Sequence, residues 1–284
     1  MSALNIALIS PKTAATSFTS IKKAVAHITD NNYKFCFLPR IDDVYEPGYI
    51  GQIFRKQLFC KKYDLTAVFF DPDNFELSLR ILLHVMEYSS RTIVLSEISK
   101  KTAFDFEGFL QTLGVDGIYV FNTSCSIINT LDFLRSYAVS LFYTSPAYIN
   151  YGPEAEYAMS LIEENAGIAF GKDKKTWAAS RLLYGGAFVK ELFYNFELSG
   201  YDRENIHENM FVASRYLKNC EPSINFKRNA ETVFESITQT LKESCLITPK
   251  EESYRLFSMR TFYILIYIIA SICALTLLCV IFFD

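Results

Sequence analysis

Short, nearly unbroken apolar runs alternate with longer segments whose apolar residues recur every three or four positions. The runs are Asn5–Ile9, Lys34–Leu38, Leu65–Phe70, Thr92–Leu95 and Gly117–Phe121, and Pro or Asp closes several of them, as at Pro11, Pro39 and Asp71-Pro72. The segments between and after them are Thr16–Ile28, Tyr49–Cys60, Phe75–Tyr88, Ala103–Leu113 and Ile127–Phe142. In the third, Leu77, Ile81, Leu82 and Val85 share one side of a helix. A run that is apolar on both sides predicts a strand covered on both faces, and an amphipathic segment after each strand supplies the cover. Beyond 153 the strand signal stops. Glu154–Asn165, Lys174–Phe196, Glu204–Lys218 and Ala230–Ser244 all read as helices.

The expected fold is α/β, a flavodoxin-like, doubly wound, parallel five-stranded sheet over residues 1–142. A linker at 143–153, an all-helical domain at 154–248 and a connector at 249–260 follow. The stretch Thr261–Phe283 contains no charge, Pro, Gly, Asn or Gln. As a helix it would be about 35 Å long at ~1.5 Å per residue, enough for a hydrocarbon core of about 30 Å. It predicts one C-terminal transmembrane helix, with the lipid bilayer as a partner. Lys250, Arg255 and Arg260 precede it and no Lys or Arg follows, which predicts a cytoplasmic amino-terminal body.

Composition narrows the function. A net charge of −3 gives no general reason to bind nucleic acid. The seven cysteines include no C-x-x-C pair, which favours reduced thiols over a disulfide framework or a zinc site. The chain has no G-x-G-x-x-G and no G-x-x-x-x-G-K-[ST], so a dinucleotide turn or phosphate loop is not expected, and no cofactor is implied. His27 and His84 lie on expected helices and read as helix-surface or core-edge residues. His207 stands alone in the second half, which excludes a multi-histidine metal hydrolase there.

Ligands of doubly wound sheets sit beyond the carboxyl ends of the strands. The polar residues there include Ser10, Asp42, Asp43, Asp71, Asp73, Asn74 and Ser96. Asp in such turns also serves as a helix cap, and both readings stand.

Tyr63–Pro72, Thr92–Ser96 and the Gly114–Phe121 stretch GVDGIYVF resemble the third, fourth and fifth strands of response-regulator receiver domains. The receiver's acidic pair is replaced by Ser10 and Pro11, its phosphoacceptor Asp by Phe69 and its Lys by Phe121. The resemblance therefore implies a pseudo-receiver, a non-phosphorylatable module for a protein partner at the cytoplasmic membrane face, acting in signalling or as a scaffold. The segment from Phe54 to Glu97 is also similar to the nucleoside deoxyribosyltransferase and TIR-like group. That resemblance implies Glu76 as a catalytic carboxylate and a membrane-anchored nucleoside- or nucleotide-processing effector. A Glu in a first helical turn also complements the helix dipole.

Overall fold

The structure, a computed structural model, describes residues 3–13, 15–27, 31–89, 91–97, 103–113, 118–121, 127–140, 149–185, 187–196, 198–220 and 226–247. Strands β1 (Leu4–Ile9), β2 (Tyr33–Phe37), β3 (Leu65–Phe70) and β4 (Thr92–Glu97) alternate with helices α1 (Ala15–Ala26), α2 (Tyr49–Cys60) and α3 (Phe75–Tyr88). Then come a short strand β5 (Ala103–Phe104), α4 (Phe106–Leu113), β6 (Ile118–Phe121) and α5 (Ile127–Val139). The parallel sheet has the order β2-β1-β3-β4-β6. Its centre is dry: every residue of β3 is buried, as expected of a strand with helices on both sides.

One face carries Ile6, Leu8, Leu65, Ala67, Phe69, Ile93 and Leu95 against Phe18 and Ile21 of α1 and Leu131 and Leu134 of α5. The opposite face carries Ala7, Ile9, Val68, Phe70 and Val94 against α2, α3 and α4. That second core continues without a break into the carboxyl-terminal half. This half consists of α6 (Pro153–Phe170), α7 (Lys175–Tyr184), α8 (Ala187–Asn195), α9 (Gly200–Cys220) and α10 (Phe226–Cys245). Phe54, Leu82, Trp177, Leu182 and Phe234 belong to one cluster. The helices therefore form a third layer over α2 and α3. For this reason α3 buries eleven of its fourteen residues, including His84 and Glu87.

The segment read as one helix over 174–196 is two helices. Gly185, at φ +77°, stops α7 in a conformation that residues with a Cβ rarely adopt. The segment read as a helix over 103–113 begins instead as β5, which pairs antiparallel with β7 (Leu246–Ile247) directly after α10. Gly51 is needed for a close approach. A Cβ there would lie 2.0 Å from the carbonyl oxygen of Glu46, so only glycine lets the 42–47 loop rest on the first turn of α2.

The single-pass membrane assignment and its cytoplasmic orientation are corrected. No helix among the described residues is long and apolar enough to cross a membrane. The expected anchor from Thr261 to Phe283, like the connector before it, lies outside the described residues. Unbroken hydropathy was its whole basis, and no described element is built from it.

Candidate functional site

At the strand ends the polar residues are engaged with their own backbone. Ser10 is fully buried at the end of β1, and its hydroxyl donates to the Pro11 carbonyl at 3.0 Å. Ser96 is fully buried at the end of β4, where its hydroxyl donates to the Phe70 carbonyl at 3.0 Å and ties two strands together. Asp71 caps the turn into α3. Its carboxylate accepts from the Asp73 N–H at 3.1 Å and from the Asn74 side-chain amide at 2.7 Å. The Asp71 N–H in turn donates to Ser78 Oγ at 3.0 Å. Asp71, Asp73 and Asn74 thus come together as one capping turn. Glu76 points outward, with its side chain 67% exposed, and pairs with Lys242 of α10 at 2.8 Å.

The loop after β1 is sewn to the loop after β2. Pro11 bridges Ile41, and the Lys12 N–H donates to the Ile41 carbonyl at 3.2 Å. The Lys12 ammonium lies 2.9 Å from Asp42 and 2.7 Å from Glu46. Hydrogen bonds to Glu46 and Asp42 raise its pKa, and the same lysine draws the Glu46 carboxyl down. The one lysine of this loop is therefore already held by two carboxylates.

A second polar cluster lies between the sheet and the carboxyl-terminal helices. Arg181 of α7, fully buried, donates through Nη2 to Glu87 and to His84 Nδ1, the latter at 3.2 Å. The Tyr151 hydroxyl donates to the other Glu87 oxygen at 2.7 Å. Burial, followed by the charges of Arg181 and Arg80, holds the His84 pKa well below 6.5. The ring is neutral and accepts at Nδ1, so its proton sits on Nε2, which has no hydrogen-bond partner among the described residues. Its 3.7 Å approach to Glu87 is therefore a contact between a neutral ring and a carboxylate rather than an ion pair.

Nearby, Arg55 of α2 grips Glu191 of α8 in a two-pronged pair at 2.9 and 2.8 Å, and its Nη1 donates to the carbonyls of Val44 and Glu46. Beside it opens a cavity of about 970 Å³ with Tyr45, Tyr49, Lys56, Arg80, Tyr184 and Lys190 in its wall. Sequence reasoning missed both clusters, because their ion pairs join helices 94 and 136 positions apart, Arg181 to Glu87 and Arg55 to Glu191. No spacing motif records such a meeting.

No protein-family model matches the chain, and no curated relative does. Solved structures do match. A GDP-bound mutant of the S. thermophilus FeoB G-domain superposes with a TM-score of 0.66 at 14% identity, over 86% of this chain and 100% of that one. The cytosolic domain of the T. maritima FeoB iron transporter, in a GDP form, gives 0.64 at 14% identity over 86% and 98%. The GMPPNP-bound S. thermophilus domain gives 0.65 at 14% identity over 84% and 96%. The fold is thus that of these G-domains, and the likeness includes the carboxyl-terminal helices.

This corrects the flavodoxin-like assignment and both family resemblances, to receivers and to the deoxyribosyltransferase and TIR-like group. Buried parallel strands between amphipathic helices are common to all these folds, so the pattern could not choose among them. The readings drawn from those resemblances, a signalling scaffold and a glycosidase-like effector using Glu76, lose their basis with them.

Proposed function

We propose that this protein is a degenerate G-domain, a chain of the GTPase fold that does not hydrolyse GTP and whose fold frames ligand recognition away from the strand ends. The FeoB neighbours are described with GDP and GMPPNP, so the test is whether a triphosphate and its magnesium fit here. Phosphate-loop proteins place G-x-x-x-x-G-K-[ST] between a strand and a helix. The loop's backbone N–H groups cradle the phosphates, its Lys reaches the β- and γ-phosphates, and its hydroxyl and an Asp hold Mg²⁺. The stretch between β1 and α1 reads Ile9-Ser10-Pro11-Lys12-Thr13-Ala14-Ala15-Thr16. With the motif starting directly after β1, Ser10 and Ala15 stand at the glycines, Thr16 at the lysine and Ser17 at the hydroxyl. Pro11 removes one N–H from the cradle. These residues do not fit the group.

The observation that carries this reading is Lys12, the loop's one cation, bridged to Asp42 and Glu46. Asp42 and Glu46 share this one ammonium, and the cation that could face phosphate is already spent.

The test is phosphate release from GTP and Mg²⁺ by the full chain. Release is expected at the level of buffer, and Lys12→Ala is expected to leave it there. Turnover above that level, abolished by Thr16→Ala, overturns the reading.

A further inference from the structure

We propose that the cavity between α2, α3, α8 and α10 binds a small organic anion that carries a planar ring, of the size and chemistry of a mononucleotide. Its volume, about 970 Å³, lies at the upper end of the range for small-molecule sites. Five basic side chains line it (Arg55, Lys56, Arg80, Lys190 and Lys227) against three acidic ones (Asp43, Glu191 and Glu231). On a chain of net charge −3 this is a local positive excess, and a concave wall concentrates such a field on an incoming anion.

The acids are also the occupied members of the set. Glu191 is held by both prongs of Arg55, Asp43 lies 3.6 Å from Arg80, and Glu231 accepts from the Tyr184 hydroxyl at 3.3 Å. Lys56 and Lys190 are exposed and form no ion pair among the described residues. They are the donors left for a phosphate or carboxylate.

The same wall supplies rings. Tyr45 and Tyr184 stack at 5.1 Å with an interplanar angle of 20°. Tyr49 of α2 and Tyr194 of α8 also line it and are 77% and 74% exposed. Large aromatic side chains left this open beside Lys56 and Lys190 suit a ligand that is flat at one end and anionic at the other. The wall is also preformed, because Arg55 fixes α2 to α8 and Gly51 fixes the 42–47 loop to α2.

The proposal rests on the reading that the strand ends carry no nucleotide, and the experiment separates the two. AMP, adenosine and inorganic phosphate are titrated calorimetrically into the full chain. AMP is expected to bind saturably, with adenosine and phosphate each about tenfold weaker or worse, because each keeps only one of the two contacts. Lys56→Glu with Lys190→Glu is expected to weaken AMP by about tenfold or more, and Tyr49→Ala with Tyr194→Ala severalfold. Lys12→Ala and Thr16→Ala at the strand ends should leave it unchanged, and circular dichroism should show every variant folded. Absence of saturable AMP binding, or binding unaffected by the four cavity substitutions and by Thr16→Ala alike, overturns this inference alone. Binding abolished by Thr16→Ala and untouched by the cavity substitutions overturns both readings.

Discussion

Arg181 carries a buried polar contact between the two halves. Its guanidinium is fully buried, yet among the described residues only Nη2 has hydrogen-bond partners, and Nε and Nη1 have none. Removing one member of a buried ion pair leaves the other charge stranded, at a cost of about 3–5 kcal/mol, whereas replacing both with apolar groups is often neutral. Glu87→Met should therefore lower stability in urea by about 3 kcal/mol or more. Adding Arg181→Met should recover most of that loss. A double variant as weak as the sum of the singles would show that the pair is not a unit.

His84 makes a pH prediction. Its folded pKa is depressed well below 6.5 by burial and by Arg181 and Arg80, and Tyr45, Glu87 and Phe234 are its other neighbours. A depressed histidine binds its proton more readily when unfolded. Its contribution is thus fully present above pH 6.5 and is lost as the pH falls below that value toward the folded pKa. The slope reaches about 1.4 kcal/mol per pH unit. His84→Phe should flatten the fall in stability between about pH 6.5 and 5, measured as the urea midpoint. An unchanged profile would place the titration elsewhere. The burial of this ring was not legible in sequence, where a histidine on an amphipathic helix reads as core-edge. Only the third layer of helices puts it inside.

At the scale of elements, the strands and first helices were legible because their signal is local. The expected runs Leu65–Phe70 and Thr92–Leu95 lie within β3 and β4, and Tyr49–Cys60 and Phe75–Tyr88 are α2 and α3. What sequence could not show was how the elements pair. The two-residue strands β5 and β7 are too short to carry a period, and their partners are more than 140 positions apart. The strand-end residues follow the same logic, since their types were evident but their partners were not. Asp71 accepts from two donors in the capping turn, so Asp71→Ala should cost about 1 kcal/mol of stability. Glu76→Gln should change it by less than about 0.5 kcal/mol, because its ion pair with Lys242 is largely in water. A large loss at Glu76 in chemical denaturation would show that this pair matters more than its exposure implies.

At the scale of the molecule, the core ignores the boundary suggested by the change from strands to helices near residue 150. Phe54, Tyr88, Trp177 and Phe234 share one cluster, and Phe59 packs on both Tyr88 and Trp177 at 4.9 and 4.8 Å. A fully buried side chain of this size contributes roughly 1.5–3 kcal/mol. The two halves should therefore unfold together. Fluorescence of Trp177, the chain's one tryptophan, and far-ultraviolet circular dichroism should give superimposable urea transitions. Separate midpoints would show two independently stable units. The identity of the fold was the least legible property. A doubly wound pattern is shared by many families, and the stretch between β1 and α1 carries no phosphate-loop motif that could have singled out this fold.

The pairing of β5 with β7 has a mechanical consequence. The chain leaves α10 at Cys245, whose carbonyl accepts from the Asp105 N–H at 2.9 Å, and Leu246 and Ile247 then lie against Phe104 and Ala103. Asp105 in turn accepts from the Gly108 N–H at 3.1 Å, so the start of α4 hangs from the same joint. A pull on the chain beyond Ile247 is therefore delivered first to a two-residue clasp and the helix it anchors. The centre of the parallel sheet is shielded from that load until the clasp gives way.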